Sequence, residues 1–441
     1  MPEIRPFRAL RFDPKVAGDL NGIVCPPYDV IGPELHEKLL SRSAHNAVRL
    51  DLPEIRPGDE PDDRYRRAGK TLTEWRTNGT LHKDLYAGIY VYEQTYRAPG
   101  SRKTRTQLGF FGRLKLERFG LGSSVLPHER TLSAPKEDRY RLMKATNVNT
   151  SPVIGLYADP SGKSVKALKA IAATPADSVV TDDDGVRHRL WAVTEKGPCA
   201  GLVRALIESA GRAQITIADG HHRYETAIRY RDELRANRTG EADPAFDYVL
   251  MLFLETTRQK LTVLPTHRIV RGLGDAGVAT FLSRAPELFD VQPVGGRAEL
   301  KAAFASADVA PGGEGRFGLW TRQGGAILRA QRDSFTRFLP QGGAALLRLD
   351  VTLLQTALDR LCKIDREAIA AGRRLAYSKS VREALDWVDE VHDGADMAFL
   401  LDPTPVAEIS AVATDGDVMP QKSTYFYPKA LTGLIINPHE W

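Results

Sequence analysis

The chain has 441 residues, of which 42% are hydrophobic, 27% charged and 8% aromatic. These values are ordinary for a soluble globular protein, and they exclude a disordered, collagen-like or coiled-coil chain. The net charge of +5 is slight for this length, so we expect no nucleic-acid partner bound through a clustered basic face. No segment approaches the roughly 18 consecutive apolar residues of a membrane span, so we expect no membrane partner.

Cysteine usage and the first residues bear on the cellular location. Cys25, Cys199 and Cys362 are odd in number and far apart, which fits neither a disulfide framework nor a zinc site. The first residues lack the apolar core of a secretory signal. We therefore expect a cytoplasmic protein.

Both helical and strand patterns occur in the first 274 residues. Helices are predicted at 33–40 and 62–75, followed by an antiparallel hairpin with strands at 87–96 and 107–116. A helix then runs through Lys136 to about Ala145. The later patterns predict a strand at 153–157, a helix at 167–173, strands at 189–193 and 214–218, a helix at 221–236, and a strand at 247–254 that is buried on both faces.

A change in composition at about Gly272, towards Ala, Gly and Leu, indicates a domain boundary. We expect a phosphate-binding domain at 1–274 that contains the hairpin, a second α/β domain at 275–400, and a C-terminal segment at 401–441 that returns to the site. The expected fold class is α/β (α+β).

The clearest site signal is Asp219-Gly220-His221-His222-Arg223, between a predicted strand and a predicted helix. Gly220 permits a tight turn, and the first N–H groups of a helix favour an anion. The guanidinium of Arg223 suits phosphate. Two alternatives stay open: the histidines pair with carboxylates while Asp219 only caps the helix, or the segment binds a metal. Because adjacent helical side chains point about 100° apart, chelation of one ion by both histidines is disfavoured.

A second cluster combines candidate bases with cations. His128 or Glu129 could take a proton, and Lys136 and Arg139, three residues apart on one helix face, could bind phosphate. The alternative is an exposed helix that pairs of opposite charges stabilise.

Two shorter motifs complete the candidates. His267 and Arg268 are adjacent polar residues that could bind substrate or phosphate, or could be a plain strand end. Lys422, Ser423 and Thr424 form a run of amine and hydroxyl groups that could contact phosphate oxygens or be a polar turn. The sequence contains no P-loop, no dinucleotide-binding glycine motif, no nucleophile elbow and no HExxH motif.

Five ordered motifs carry a family resemblance over essentially the whole chain, to about Pro438. They are VCPPYDVI at 24–31, LPHERT at 126–131, ADGHHRYETA at 218–227, LPTHR at 264–268 and KSTYFYPK at 422–429. Together they resemble the bacterial and archaeal family called domain of unknown function 1015, whose members are often labelled SpoOJ/ParB-like.

The segment 219–223 is also similar to the phosphate-binding motif of the ParB/sulfiredoxin superfamily, and above all to that of its free serine kinase branch. This resemblance implies a ParB/sulfiredoxin-like mixed-sheet core with large insertions, ATP or ADP with Mg²⁺, and phosphoryl transfer that involves free serine or phosphoserine. His221 stands where sulfiredoxin has its reactive cysteine, so peroxiredoxin repair is not expected. No helix-turn-helix follows the nucleotide domain, so a role in DNA partition is not expected either.

The main hypothesis is therefore a nucleotide-dependent phosphotransferase that acts on a small hydroxy amino acid, with serine as the expected substrate. In this hypothesis Glu129 takes the proton from the substrate hydroxyl, with His128 and Asp29 as alternatives, and Asp219 orients a histidine, His221 or His222, or holds Mg²⁺. The residues expected to bind substrate or phosphate are Gly220, His222, Arg223, Lys136, Arg139, His267, Arg268, Lys422, Ser423 and Thr424. No dedicated set of metal ligands is assigned, and the oligomeric state stays open. The alternatives are a phosphoserine phosphatase that uses the same residues and a non-catalytic ParB-like binding protein that a nucleotide switches.

Overall fold

The computed structural model describes residues 1–131, 133–237, 242–304, 314–370, 372 and 374–441. Within these residues the helices are α1 (Pro14–Ala17), α2 (Leu20–Ile23), α3 (Pro33–Arg42), α4 (Val48–Asp51), α5 (Asp63–Thr77), α6 (Ser133–Thr146), α7 (Lys163–Ala172), α8 (Ala200–Gly211), α9 (His221–Asn237), α10 (Gly274–Arg284), α11 (Arg297–Phe304), α12 (Arg332–Phe335), α13 (Ala344–Leu347), α14 (Asp350–Cys362), α15 (Arg366–Ala370), α16 (Val381–Asp389) and α17 (Val406–Thr414). None of the helices in the described ranges has both the length and the apolar character needed to cross a bilayer.

The strands follow the same chain order. They are β1 (Ile4–Arg5), β2 (Leu10–Phe12), β3 (Leu81–Lys83), β4 (Gly88–Arg97), β5 (Thr104–Lys115), β6 (Val125–Leu126), β7 (Val148–Asn149), β8 (Val153–Tyr157), β9 (Ser178–Thr181), β10 (Arg187–Thr194), β11 (Ile215–Asp219), β12 (Tyr248–Glu255), β13 (Thr262–Leu264), β14 (His267–Arg271), β15 (Phe289–Val294), β16 (Arg316–Thr321), β17 (Gly324–Ala330), β18 (Leu375–Ser378), β19 (Ala395–Leu400), β20 (Tyr425–Tyr427) and β21 (Asn437–Pro438).

Nine of the described strands form one large mixed sheet. Their spatial order is β6-β11-β8-β12-β5-β4-β10-β9, and β1 pairs with β5. β11 runs parallel to β6 and β12 runs parallel to β8, whereas the other pairs are antiparallel. A mixed sheet combined with many helices is consistent with the expected α+β class.

Strand β12 lies between two hydrophobic cores. Alternate side chains of a strand point to opposite faces of the sheet. Met251 and Phe253 pack in the core cluster that includes residues of α7, α8 and α9. Leu250 and Leu252 pack in the cluster that includes residues of β14, β16, β17 and α14. Every residue of β12 is buried, which confirms the prediction of a strand buried on both faces.

Six further strands form a second, antiparallel sheet in the order β15-β17-β16-β19-β14-β18. The chain enters this sheet at β14, a few residues before the boundary that we expected at 274. Residues 305–313, 371 and 373 of the expected domain 275–400 lie outside the described residues. The domain division itself stays a prediction.

The other predicted elements of the first 274 residues are confirmed, with small shifts of their ends. The hairpin at 87–96 and 107–116 is β4 and β5, paired antiparallel, and the helix at 221–236 is α9. The largest shift is in α7, which begins at Lys163 rather than at 167. A carboxylate oxygen of Asp159 accepts from the Ser164 N–H at 2.8 Å and stabilises this earlier first turn.

The C-terminal segment pairs with several distant parts of the chain. β20 pairs with β13, and β21 pairs with β7. Between them, Cys25 and Thr432 exchange two backbone hydrogen bonds of 3.1 and 2.9 Å. The residues around β20 thereby lie beside the first turn of α9.

Candidate functional site

A cavity of about 570 Å³ lies where the start of α9 meets the C-terminal segment. Its wall combines the turn at 28–30, the loop after β6, the β11–α9 junction, the end of β18 and the segment 421–429. Its lining side chains and backbone include Tyr28, Asp29, Glu129, Arg130, Asp219, Gly220, His221, His222, Arg223, Thr266, Tyr377, Lys379, Gln421, Lys422, Thr424, Tyr425 and Lys429.

The turn from β11 into α9 depends on Gly220. Its φ of 88° lies in the left-handed region, which glycine adopts without a steric penalty. A Cβ at this position would lie 3.0 to 3.1 Å from atoms of the Arg223 guanidinium. Gly220 therefore allows both the turn and the close approach of Arg223, and α9 begins at His221 with its first-turn N–H groups at the cavity.

Asp219 is held by two cations at the end of β11. Its Oδ2 lies 3.0 Å from the Lys429 Nζ and 3.4 Å from a terminal nitrogen of Arg223. Burial favours a raised pKa for this carboxyl, but Lys429 and Arg223 outweigh burial and hold the pKa of Asp219 well below its ordinary value. Asp219 is therefore ionised at neutral pH and fixed in place by these cations.

Two lysines approach the ring of Tyr425. The ammonium groups of Lys379 and Lys429 lie 3.8 and 4.3 Å from its centroid. Burial, and after it the charge of Lys429, lower the pKa of Lys379. Because the charges of Lys379 and Lys429 repel each other, an anion bound near both ammonium groups would be stabilised.

Glu129 is the carboxylate of the loop after β6. Its Oε1 accepts a hydrogen bond of 3.0 Å from the backbone N–H of Lys422. Burial raises the pKa of Glu129, and the N–H and ammonium of Lys422 oppose part of that rise. A carboxyl with a raised pKa beside the cavity has the property expected of a general base or acid.

His128 and His221 are buried and neutral. The ring of His128 has Nδ1 at 2.5 Å from the carbonyl oxygen of Ile217 and Nε2 at 3.0 Å from Oγ1 of Thr424. Burial lowers its pKa to about 4. The Nε2 of His221 accepts from the backbone N–H of His128 at 3.2 Å, so the proton of the neutral ring is on Nδ1. Burial likewise lowers the pKa of His221 well below its ordinary value.

Two buried polar atoms at the wall have no hydrogen-bond partner within the described residues: Nε of Arg223 and Oγ1 of Thr266. Another nitrogen of the same guanidinium donates to the carbonyl oxygen of Pro152. Buried polar groups are nearly always paired in native proteins. A ligand in the cavity could supply the missing partners.

The structure brings together many of the residues that the sequence indicated. Those on the wall are Asp29, Glu129, Asp219, Gly220, His221, His222, Arg223, Lys422 and Thr424. The loop after β6 and the segment 421–429 are almost 300 residues apart in the chain, so the sequence motifs alone could not place them together.

Six other predicted site residues do not line the cavity: His128, Lys136, Arg139, His267, Arg268 and Ser423. Lys136 pairs with Glu225 at 2.8 Å. The hydroxyl of Ser423 donates to the carbonyl oxygen of Pro420 at 2.5 Å. His267 is completely buried in β14, where its Nδ1 accepts from the Leu401 N–H.

Arg139 and Arg268 instead support the wall from behind. The guanidinium of Arg139 lies 3.9 Å from the ring centroid of Tyr28, and it donates to the carbonyl oxygen of Asp51 at 2.5 Å. The guanidinium of Arg268 lies 5.1 Å from the ring centroid of Tyr377. Both arginines are almost fully buried, and each lies against an aromatic lining residue and not on the wall itself.

Several residues on the wall carry no role predicted from the sequence: Tyr28, Tyr377, Lys379, Tyr425 and Lys429. Three of these stand inside the motifs at 24–31 and 422–429, so the motifs themselves were the available signal. Tyr377 and Lys379 lie in a region without any recognised motif, and no feature of the sequence pointed to them.

Few side chains of the cavity are suited to bind Mg²⁺. Within the described ranges no group of three or more His, Cys, Asp and Glu side chains is placed to hold a metal ion. Mg²⁺ often binds through only one or two carboxylates together with substrate phosphates. Asp219 already has two cationic partners, which leaves Asp29 and Glu129 as the carboxylates of the cavity suited to this mode.

Several solved structures match the chain at low similarity. A free serine kinase in complex with AMP has 12% identity over 69% of this chain and 83% of its own, with a TM-score of 0.35. A conserved hypothetical protein from Pyrococcus furiosus has 13% identity over 69% and 87%, with a TM-score of 0.34. SbnI from Staphylococcus aureus, with a C-terminal truncation, has 10% identity over 71% and 83%, with a TM-score of 0.33.

The chain matches a protein-family model but no curated protein. A family model described as "Protein of unknown function (DUF1015)" matches residues 4–352, which is most of the chain and includes four of the five motifs that indicated this family. The chain therefore belongs to the DUF1015 family.

Proposed function

We propose that the cavity is the active site of a nucleotide-dependent phosphotransferase that acts on a small hydroxy amino acid. The observation that carries this proposal is the charge of the wall. Five cationic side chains, namely Arg130, Arg223, Lys379, Lys422 and Lys429, accompany three carboxylates, namely Asp29, Glu129 and Asp219. An excess of positive charge beside a helix N-terminus favours a phosphate-bearing ligand.

The first turn of α9 and the guanidinium of Arg223 would bind phosphate oxygens. The unpartnered Nε–H of Arg223 gains an acceptor in this arrangement, which removes the cost of a buried unsatisfied donor. Lys379 and Lys422 would stabilise the negative charge of the transferred group, because phosphoryl transfer depends mostly on positioning and charge stabilisation.

Glu129 would accept the proton of the substrate hydroxyl as the new P–O bond forms and the bond to the leaving nucleotide breaks. Its raised pKa makes it a stronger base than an ordinary glutamate. His128 is the weaker candidate, since both of its ring nitrogens already have partners.

Asp219 would keep Lys429 and Arg223 in position through its two ion pairs. Asp29 would provide a carboxylate ligand for Mg²⁺ on the phosphates of ATP or ADP, and the ion would neutralise phosphate charge, while Glu129 stays free to act as the base. The volume of about 570 Å³ is in the range of small-molecule sites. Serine enters the proposal through the resemblance of the segment 219–223 to the motif of free serine kinases.

The proposal is tested by a phosphorus NMR time course on the purified protein with Mg²⁺. One mixture contains ATP or ADP with serine, and another contains phosphoserine alone. New phosphoserine in the first mixture would support the kinase direction, and free phosphate in the second would support a phosphoserine phosphatase that uses the same residues.

Binding without turnover would favour the remaining alternative, a nucleotide-switched binding protein. In that case the nucleotide resonances of the first mixture would shift, and neither mixture would give a new product. If no nucleotide binding and no product were detected, the assignment of the phosphate site would be wrong. The variant Arg223→Ala tests the phosphate site directly: it should weaken nucleotide binding because it removes the buried guanidinium at the start of α9.

A further inference from the structure

A second cavity, of about 630 Å³, adjoins the candidate active site. Arg130 and Gln421 line both cavities. Their shared wall is formed by the loop after β6 and the segment 418–421, which pair as parallel backbones at Glu129 and Met419. The N–H of Met419 donates to the carbonyl oxygen of His128 at 2.8 Å, so this wall is tied to the loop that carries Glu129.

The charge of the second cavity is opposite to that of the first. Among the residues that the structure describes, three carboxylates, those of Asp359, Asp365 and Glu367, line it together with one cation, Arg130. A cationic group would therefore be attracted to the second cavity, whereas an anionic group would be attracted to the first.

The rest of the second cavity is largely apolar. Phe338, Leu346, Ile369 and Met419 line it, and Leu346 and Met419 belong to the buried core between the sheets. An apolar group placed there gains free energy as its surface leaves water. An acidic, partly apolar cavity suits an ammonium group carried on an apolar body.

A buried hydroxyl marks the second cavity independently of its acidic residues. Thr352 lines the cavity and is 2% exposed, and its Oγ1 has no hydrogen-bond partner within the described residues. By contrast, the nearby Thr356 hydroxyl donates to the backbone carbonyl oxygen of Thr352 at 2.9 Å. Because a buried hydroxyl without a partner is costly, a ligand group that pairs with Thr352 would be bound more tightly.

We propose that the second cavity binds the ammonium-bearing, apolar end of the phosphoryl acceptor, whose hydroxyl reaches Glu129 in the first cavity. This inference rests on the proposed phosphoryl transfer and changes its acceptor. In place of serine, the acceptor is a hydroxy compound with a primary amine and an apolar body larger than that of serine. Thr352 accepts from the ammonium or donates to a polar group next to it, and Asp359 and Glu367 compensate its charge.

The test uses ω-aminoalkyl phosphates of increasing chain length and alkyl phosphates of matched length, with binding measured by isothermal titration calorimetry. At the chain length that spans both cavities, the amino compound should bind the unmodified protein about tenfold more tightly than its matched alkyl phosphate. Equal affinity at every length would overturn the proposal.

Variants of the second cavity show whether its carboxylates cause the tighter binding of the amino compound. The double variant Asp359→Asn with Glu367→Gln should lose the advantage of the amine and keep the affinity for alkyl phosphate. Asp365 is left unchanged because it accepts from the Ala368 N–H at 2.8 Å at the start of α15. The control Glu34→Gln with Glu37→Gln makes the same charge change on exposed positions of α3 and should keep the advantage. If the control lost it as well, net charge and not the cavity would explain the binding.

A third variant, Thr352→Val, keeps the side-chain shape and removes the hydroxyl. It should leave the unliganded protein as stable as before, because the hydroxyl has no partner to lose, and it should weaken binding of the amino compound several-fold. Unchanged affinity would contradict the role given to Thr352.

Failure of the proposed function has a different signature. If no phosphate compound binds, the first cavity is not a phosphate site. The second cavity is then tested alone, by comparing the binding of hexylamine with that of hexanol. Binding of hexylamine alone, lost in the variant of Asp359 and Glu367, would uphold the second cavity as an amine site. No binding of hexylamine would overturn both proposals.

Discussion

The backbone N–H of Lys422 donates a hydrogen bond of 3.0 Å to the carboxylate of Glu129. Lys422 has a φ of 55°, in the left-handed region that side chains other than glycine seldom adopt. The strained backbone thus presents its N–H to the candidate base while its exposed side chain lies at the cavity. Positions where strain and a chemical group coincide are commonly functional.

Lys422→Asn should therefore weaken nucleotide binding without unfolding the protein. Asn tolerates the left-handed conformation and keeps the backbone N–H that Glu129 needs. It removes the ammonium, so we expect the affinity for nucleotide to fall about tenfold, as for the loss of one charge-assisted contact with phosphate. Calorimetric titration with ADP and ATP measures the change.

Lys363→Asn is the matched control, since Lys363 is also a lysine with a φ of 55°. It ends α14 and does not line the active-site cavity. Its replacement should leave nucleotide affinity as it was. If Lys422→Asn bound nucleotide as tightly as Lys363→Asn and the unmodified protein, the Lys422 ammonium would have no part in phosphate binding.

Glu129→Gln should abolish turnover and spare nucleotide binding. Gln keeps the oxygen that accepts from the Lys422 N–H but cannot take a proton, so we expect turnover to fall by about 10²–10⁴-fold. In the unmodified protein, burial raises the pKa of Glu129. Because only the ionised form acts as a base, activity should decline on acidification at a higher pH than about 4.3, where an ordinary glutamate is half protonated.

The control is Glu137→Gln, on the exposed part of α6. Glu137 pairs with Arg141 at 2.9 Å and with Arg229 at 2.7 Å, away from the cavity. Its turnover and pH profile should match those of the unmodified protein. Full activity of Glu129→Gln at neutral pH would transfer the role of base to another group, such as Asp29.

Gly220→Ala should impair the protein by more than the strain of its backbone alone, in both stability and nucleotide binding. A φ of 88° is unfavourable for alanine by about 1–2 kcal/mol. The added Cβ would also press on the Arg223 guanidinium at 3.0 to 3.1 Å. We expect both a lower melting temperature and weaker nucleotide binding, measured by thermal denaturation and calorimetry.

Gly58→Ala separates these two effects. Gly58 has a φ of 85°, and no atom lies within 4 Å of the position of its added Cβ. It should show the backbone penalty without any change in nucleotide affinity. An identical response of the two variants would mean that Arg223 does not depend on Gly220.

The β11–α9 junction could be predicted because its signals are local. A strand of apolar residues, a glycine and a helical pattern follow one another within 219–223 and its neighbours, and the helix N-terminus follows from that order alone. The structure has this arrangement, and the cavity lies at this point.

The cationic partners could not be predicted, because they depend on long-range pairing. Lys379 reaches the cavity since Ser378 pairs with His267 in the second sheet, and Lys429 meets Asp219 across 210 positions of the chain. The ion pairs of Lys136 and Arg139 could not be predicted either. Helical spacing places these two residues on one face of a helix. It does not show that Lys136 pairs with Glu225 and Arg139 with Asp51.

Buried histidines should make the protein less stable in mild acid. Burial lowers the pKa of His267 to about 3, against about 6.5 in an unfolded chain. Between these values the unfolded state binds one more proton than the folded state. The contribution of His267 to the free energy of unfolding is therefore full above pH 6.5 and is lost as the pH falls towards 3, by up to about 1.4 kcal/mol per pH unit.

His267→Asn should flatten this pH dependence. Its side-chain oxygen can accept from the Leu401 N–H in place of Nδ1, which accepts at 3.2 Å, and it does not titrate. Loss of packing should lower the free energy of unfolding by about 1–2 kcal/mol at pH 7, but urea titrations from pH 7 to pH 4 should show a smaller decrease than in the unmodified protein. His82→Asn, at a side chain that is 46% exposed, should retain the original slope. If the slope of His267→Asn were also retained, protonation of His267 would not limit stability in acid, and the other buried histidines, such as His128 and His439, would have to account for it.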